Sequence, residues 1–248
     1  MRSAGIDIGS RTVKLVIVEN GEVTHRAFAE NSFSPIEVCR GILDGQHYDR
    51  IMATGYGRHL FGDAFGAETI SEIKAFALGV RRLCPSARTV LDIGGQDVKA
   101  ISLDERGRMG KFEMNDKCAA GTGRFLEIMA MALGCSLAEF AELGASAANA
   151  ETINSMCTVF AESEVVSSVA RGAPRDEIAR GIHEAVVRRT INMLKRVGIN
   201  DDLVFVGGVA QNRFMGELLR SELQREVVVP EMPQLAGALG CALAAEEG

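Results

Sequence analysis

Gly5-Ile6-Asp7-Ile8-Gly9-Ser10-Arg11-Thr12-Val13-Lys14 returns further along the chain as Val90-Leu91-Asp92-Ile93-Gly94-Gly95-Gln96-Asp97-Val98-Lys99, with Asp, Ile, Gly, Val and Lys each in register. Each copy reads as a short apolar strand ending in Asp, a Gly turn, and a β-branched run returning as the second strand of a hairpin. Glycine in such a turn lets backbone N–H groups approach phosphate oxygens with no Cβ in the way. An Asp at the strand end can hold a hydrated divalent cation. Two such hairpins make a two-lobed nucleotide clamp.

Strands and helices alternate through the rest of the chain. The first hairpin closes through Asn20-Gly21, residues 22–29 form its next strand, and residues 36–43 read as a helix after Pro35. Ser71 can cap a helix over 72–84, which Pro85 ends. Beyond the second hairpin, 124–133 and 137–143 look helical, the latter opened by a capping box of Ser136 and Glu139. Residues 158–171 form another helix, and Pro174 starts a long one that Gly198 stops. Strand 203–206 then leads into Gly207-Gly208, a helix over 212–224, a strand over 226–229 and a small-residue helix over 235–245. This order predicts an α/β protein with mixed sheets flanked by helices. One lobe would comprise 1–70 with 230–248, the other 71–229.

At 248 residues, with 47% apolar and 24% charged side chains, the composition is that of an ordinary globular protein. A net charge of −6 without a long basic run speaks against nucleic acid as a partner. No apolar stretch approaches the roughly 18 residues of a membrane span, and the early first strand leaves no room for a secretion signal. A cytoplasmic setting is expected, in which the six cysteines are reduced, buried or metal-bound. No Gly-x4-Gly-Lys-Ser/Thr occurs, so a P-loop is excluded. Gly121-Thr122-Gly123 lacks the strand and third glycine of a dinucleotide fingerprint.

Two cysteines stand apart from the rest. Cys118 lies in Asn115-Asp116-Lys117-Cys118-Ala119-Ala120-Gly121-Thr122-Gly123-Arg124-Phe125-Leu126-Glu127, and Cys157 opens Cys157-Thr158-Val159-Phe160-Ala161-Glu162-Ser163-Glu164. Both precede a helix, where free N–H groups suit a thiolate or an anionic cluster. Neither belongs to a Cys-x-x-Cys pair. An iron–sulfur cluster normally takes four thiolates, so one here needs the same two residues from a second copy. Two small buried hydrophobes fit the spacing as well.

The matched hairpins and the later Gly-Gly turn resemble the actin-like ATPase (ribonuclease H-like) fold of actin, sugar kinases and the large heat-shock chaperones. The two cysteine segments closely resemble activator ATPases of 2-hydroxyacyl-CoA dehydratases and the related ATPase subunits of benzoyl-CoA reductase, the BadF/BadG/BcrA/BcrD type. By that resemblance Asp7, Gly9, Ser10, Arg11, Thr12 and Lys14 grip the ATP or ADP phosphates, and Gly94, Gly95, Gln96 and Asp97 face them. Gly121, Thr122 and Gly123 join the cofactor-binding set, and Gly207, Gly208 and Gln211 pack on the adenosine. Asp7 and Asp92 would hold Mg²⁺, and Asp92 or Gln96 would orient the attacking water. Lys99 reads instead as a solvated strand-end charge. Glu127, Glu162 and Glu164 lie near the cluster cysteines in sequence, and a solvated helix face explains them just as well.

The resemblance further implies a homodimer with one 4Fe–4S cluster, bound by Cys118 and Cys157 of each chain. An electron from ferredoxin or flavodoxin would be driven by ATP onto a 2-hydroxyacyl-CoA dehydratase. A reductase of another low-potential iron–sulfur protein is the alternative within that resemblance, and a cluster-free small-molecule kinase the alternative outside it. Family members usually carry His where this chain has Phe76, so a role resting on that His does not transfer.

Overall fold

A computed structural model describes residues 1–155, 157–200 and 202–248. The first sheet contains β1 (Arg2–Ile8), β2 (Thr12–Glu19), β3 (Glu22–Glu30), β4 (Arg50–Thr54) and β5 (Glu68–Thr69), in the order β3-β2-β1-β4-β5. The second contains β6 (Thr89–Ile93), β7 (Val98–Leu103), β8 (Met109–Asn115), β9 (Leu203–Val206) and β10 (Val227–Val228), in the order β10-β9-β6-β7-β8. Read from opposite ends, the two orders match. β1 pairs antiparallel with β2 and parallel with β4, and β6 pairs antiparallel with β7 and parallel with β9. The sequence repeat is therefore a repeat of sheet topology.

The helices are α1 (Pro35–Leu43), α2 (Arg58–Phe65), α3 (Glu72–Leu83), α4 (Gly123–Ala132), α5 (Leu137–Ser146), α6 (Thr158–Ala170), α7 (Arg175–Val197), α8 (Arg213–Leu223) and α9 (Ala236–Glu247). Both central strands are buried from both sides, as strands with neighbours and helix-covered faces must be. One face of the first sheet packs Ile6, Ile8 and Leu15 against Cys39, Leu43 and Phe61 of α1 and α2. On the other, Val16 and Val18 meet Ala238 and Leu239 of α9. The second sheet buries Leu91, Ile93 and Phe205 under α4 to α8, and Val90, Ile101 and Val204 under Phe76 and Val80 of α3.

Residues 58–65 form a helix and 109–115 a strand that the sequence reading passes over. Gly62 interrupts the apolar pattern of α2, and β8 is an edge strand whose first four residues are exposed. β10 is shorter than expected, at Val227–Val228, and α5 and α9 run further. No single helix among the described residues is long and apolar enough to cross a membrane.

The joint between the sheets is the crossing of α3 and α9, which depends on glycine. A Cβ on Gly79 would stand 1.9 Å from the Ala236 carbonyl oxygen, and one on Gly240 1.8 Å from that of Ala75. Backbone cannot yield as a side chain does. Gly240→Ala should therefore lower stability by about 1–3 kcal/mol or more in urea unfolding. Gly41→Ala, on an exposed position of α1 with open space around it, should leave stability unchanged or raise it by up to about 1 kcal/mol.

Candidate functional site

Both hairpin turns open onto one cleft of about 770 Å³ between the sheets. The turns are closed alike, with the Gly9 N–H donating to Thr12 O at 3.0 Å and the Gly94 N–H to Asp97 O at 2.9 Å. In each hairpin the strand-end Asp faces a Lys directly across the ladder. Lys14 Nζ lies 3.2 Å from Asp7 Oδ2, and Lys99 Nζ 2.9 Å from Asp92 Oδ2. The parallel neighbours β4 and β9 end in glycines with φ of +91° and +90°, Gly55 and Gly207. A Cβ there would sit 2.6 Å from Asp7 Oδ1 or 2.3 Å from Asp92 Oδ1. Each carboxylate thus rests against bare backbone, which explains the third glycine turn.

Asp7, Gly9, Ser10, Arg11, Thr12 and Lys14 all border the cleft. Asp92, Gly94, Gly95, Gln96 and Asp97 border it from the second sheet, and Gly123, Gly207, Gly208 and Gln211 complete that side. Gly121 and Thr122 stand outside the lining. Thr122 is fully buried, its hydroxyl donating to Ala119 O at 2.6 Å. This segment supports the second turn from behind, because the first two amides of α4, at Gly123 and Arg124, donate to Gly94 O (2.9 Å) and Gly95 O (2.8 Å).

Lys99 is no solvated charge. Its side chain is 1% exposed, and besides Asp92 it contacts Asp97 Oδ2 at 2.5 Å and Glu72 Oε2 at 2.8 Å. Phe76 places its ring 5.2 Å from the same ammonium, a cation–π contact. The three carboxylates raise the Lys99 pKa well above its ordinary value against the opposing effect of burial. Burial pushes the Asp92 carboxyl up to about 7 against the pull of Lys99. Asp92 Oδ1 is buried without a hydrogen-bond partner among the described residues, an unsatisfied acceptor that suits a cation or a proton donor.

Other groups in the cleft lie outside the sequence-derived set. Leu137, Ala138, Ala141 and Ala145 of α5 and Phe214 of α8 form a wall beside the Gly207 turn, with Glu142 and Glu217 next to them. Small side chains opposite an aromatic ring leave room for a flat base. The capping box locates α5, yet nothing local says which face meets a ligand. Behind the wall, His183 packs between Phe140, tilted with centroids 4.5 Å apart, and Phe214, edge-on at 5.2 Å. Its Nδ1–H donates to Ala179 O at 2.7 Å while Nε2 accepts from Asn212 Nδ2 at 3.0 Å, an assignment that makes the ring neutral. Glu127 is not a solvated charge either. Its Oε1 accepts from Arg11 Nε at 3.0 Å across the cleft and its Oε2 from Arg124 Nη1 at 3.0 Å.

Cys118 and Cys157 lie away from the cleft lining, ahead of two helices, α4 and α6, that pack on each other. Cys157 is exposed at the N-cap of α6, and Cys118 is half-buried in the loop before α4. The α4 terminus does not serve Cys118, since its first donors are engaged by the second turn. Asn115 Nδ2 donates to Cys118 O at 2.8 Å, and Glu164 accepts from the Asn154 and Ser155 amides at 3.1 and 2.8 Å. Glu164 thus fixes the loop leading to Cys157. Among the described residues no three His, Cys, Asp or Glu side chains are grouped to hold a metal ion within one chain.

The duplicated hairpins, the Gly-Gly turn and the two cysteine loops agree with the family pattern of BadF/BadG/BcrA/BcrD ATPases, which matches residues 4–245. The chain belongs to this family. It is 44% identical over 257 residues to an activator of lactoyl-CoA dehydratase from Anaerotignum propionicum, covering 100% of this chain and 98% of that protein. Component A of (R)-2-hydroxyglutaryl-CoA dehydratase from Acidaminococcus fermentans superposes with a TM-score of 0.92 at 40% identity, covering 100% of this chain and 98% of that one. The activator of 2-hydroxyisocaproyl-CoA dehydratase from Clostridium difficile, solved with bound ADPNP, gives the same TM-score and identity over 100% and 95%. The fold of this family member is accordingly the actin-like ATPase fold.

Burial holds the His183 imidazole down to about 4 from an ordinary 6.5. Below pH 6.5 the unfolded chain takes up a proton that the folded chain refuses, so the His183 contribution is fully favourable above 6.5. It is lost as pH falls toward 4, by about 3 kcal/mol in all. Urea unfolding from pH 7 to 4 should show His183→Gln losing less stability than the parent over that window. Parallel slopes would contradict the neutral, buried ring.

Proposed function

We propose that this chain is an ATP-dependent electron-transfer activator. It hydrolyses ATP between the hairpins to drive a low-potential electron from a 4Fe–4S cluster, shared by two copies of the chain, onto a 2-hydroxyacyl-CoA dehydratase. The observation that carries the reading is the backbone wiring of α4. Its first turn is hydrogen-bonded to the Gly94 and Gly95 carbonyls of the cleft and its preceding loop holds Cys118, so movement of the second turn moves the cysteine loop.

The residues present fit both cofactors. For Mg²⁺, Asp7 and Asp92 offer carboxylates at facing strand ends, and Asp92 Oδ1 has no protein partner among the described residues. For the cluster, each chain offers two thiols in loops held by Asn115 and Glu164, half of a four-thiolate set. A second copy would complete the set. The α6 helix that Cys157 caps carries an exposed apolar face, with Val159 and Phe160 each 67% exposed and Val166 57%, suited to such a copy. When bound, the cluster supplies a one-electron store whose potential responds to nearby dipoles and solvent exposure.

Lys14 stands beside the phosphate path with a single carboxylate partner among the described residues, and Arg11 reaches across to Glu127 from the first turn. Asp92 or Gln96 orients the attacking water, and the wall of α5 and Phe214 takes the base. Phosphates held between both turns favour the closed state of the lobes 1–70 with 230–248 and 71–229, and only that differential affinity shifts the equilibrium. The electron comes from a reduced ferredoxin or flavodoxin in the cytoplasm, where cysteines that form no disulfide stay reduced.

Replacing Cys118 or Cys157 with Ser should remove most iron from anaerobically purified protein while nucleotide affinity changes less than about threefold, a shift under roughly 0.7 kcal/mol. Iron and acid-labile sulfide analysis beside nucleotide titration checks this. Full iron retention in both variants would rule the cluster assignment out.

A further inference from the structure

The repeat gives each hairpin an Asp–Lys pair, yet the two lysines are placed for different tasks. Both lysines border the cleft. Lys14 holds one carboxylate among the described residues and its side chain is 14% exposed, so part of its donor capacity remains free for phosphate. Lys99 is 1% exposed and holds three carboxylates. Its ammonium donates to Asp92 Oδ2 and Asp97 Oδ2 and forms an ion pair with Glu72 Oε2 at 2.8 Å, with the Phe76 ring on another side. The Lys99 charge is thus committed to carboxylates of the protein.

Its three partners come from three places. Asp92 ends β6, and Lys99 takes its Oδ2, leaving Oδ1 without a partner among the described residues. Asp97 closes the second turn through its backbone oxygen, which accepts the Gly94 N–H. Glu72 belongs to the first turn of α3, outside the repeat, and its other oxygen lies 3.8 Å from Arg58 of α2. A single positive charge beside two buried carboxylates and the half-buried Glu72 leaves the group net negative, so the ammonium fixes positions without saturating the site.

We propose that Lys99 is a positioning residue for ATP hydrolysis: a built-in cation that tethers Asp92 and the second turn to the head of α3 through Glu72, leaving one oxygen of Asp92 free for the chemistry. The proposal rests on the reading of the cleft as an ATPase site. It assigns Glu72, absent from the repeat, to the same apparatus, and it explains how two lysines in register come to differ in role. Phe76 packs on the tether through its ring face.

The test compares Lys99→Met, Glu72→Gln and the double variant with the parent, reading steady-state ATP hydrolysis beside affinity for a non-hydrolysable ATP analogue. Wild-type hydrolysis is measured first; its absence would defeat the ATPase reading itself and, with it, this role. Given wild-type hydrolysis, Lys99→Met should lower turnover by a factor on the order of 10² or more, within the range of a lost general base, with analogue affinity changed less than about threefold. Glu72→Gln keeps the charge on Lys99 and should fold even if Lys99→Met does not. Its turnover should fall about tenfold. Because Glu72 acts through Lys99, the double variant should be no slower than Lys99→Met alone. Wild-type turnover in Glu72→Gln, equal loss of turnover and affinity in either single variant, or additive losses in the double variant would each overturn the proposal.

Discussion

A carboxylate buried at the end of a strand must be held by a cation or by hydrogen-bond donors, and both halves of this protein meet that requirement with a lysine across the hairpin. The rest of the site follows from those two seats. Each Asp needs bare backbone beside it, supplied by Gly55 and Gly207 at φ near +90°. Each turn needs an amide folded back onto a carbonyl, supplied by Gly9 and Gly94. The sheets then face each other with the carboxylates on opposite sides of one cleft, and the crossing of α3 and α9 sets the approach.

The second seat is tied to more of the molecule than the first. Its turn carries α4 by two backbone hydrogen bonds, and its lysine reaches α3. From the first turn, Arg11 crosses the cleft to Glu127 on α4. A half-exposed ion pair of this kind is worth about 0–1 kcal/mol, little enough for a phosphate to displace. Such weak links across a cleft, beside strong ones within each half, allow the halves to respond to nucleotide without losing their own geometry.

The residues that the repeat aligns were legible because Asp, Gly and Lys each have few structural uses at such spacing. Asp7, Lys14 and Asp92 stand where that alignment places them. Lys99 was not legible, because two of its neighbours, Glu72 and Phe76, come from α3, and no local pattern links α3 to the second hairpin. The wall of α5 and α8 was hidden for a similar reason: Ala138, Ala141 and Ala145 look like any helix interior until the fold brings Phe214 to the same cleft. Cys118 was placed at a helix head by its position in the sequence, but the donors at that terminus go to Gly94 and Gly95. Tertiary hydrogen bonds, not local signals, decide that point. α2 and β8 escaped notice because an internal Gly62 and an exposed edge mute the periodicity that reveals such elements.

The proposed coupling of ATP hydrolysis to electron delivery is tested most directly by mixing the anaerobically purified, chemically reduced protein with an oxidised 2-hydroxyacyl-CoA dehydratase and following reduction of the acceptor under ATP, ADP, a non-hydrolysable analogue or no nucleotide. Sustained acceptor reduction with Mg²⁺ and ATP alone, in step with phosphate release, is the predicted result. Acceptor reduction at the same rate without nucleotide would contradict it.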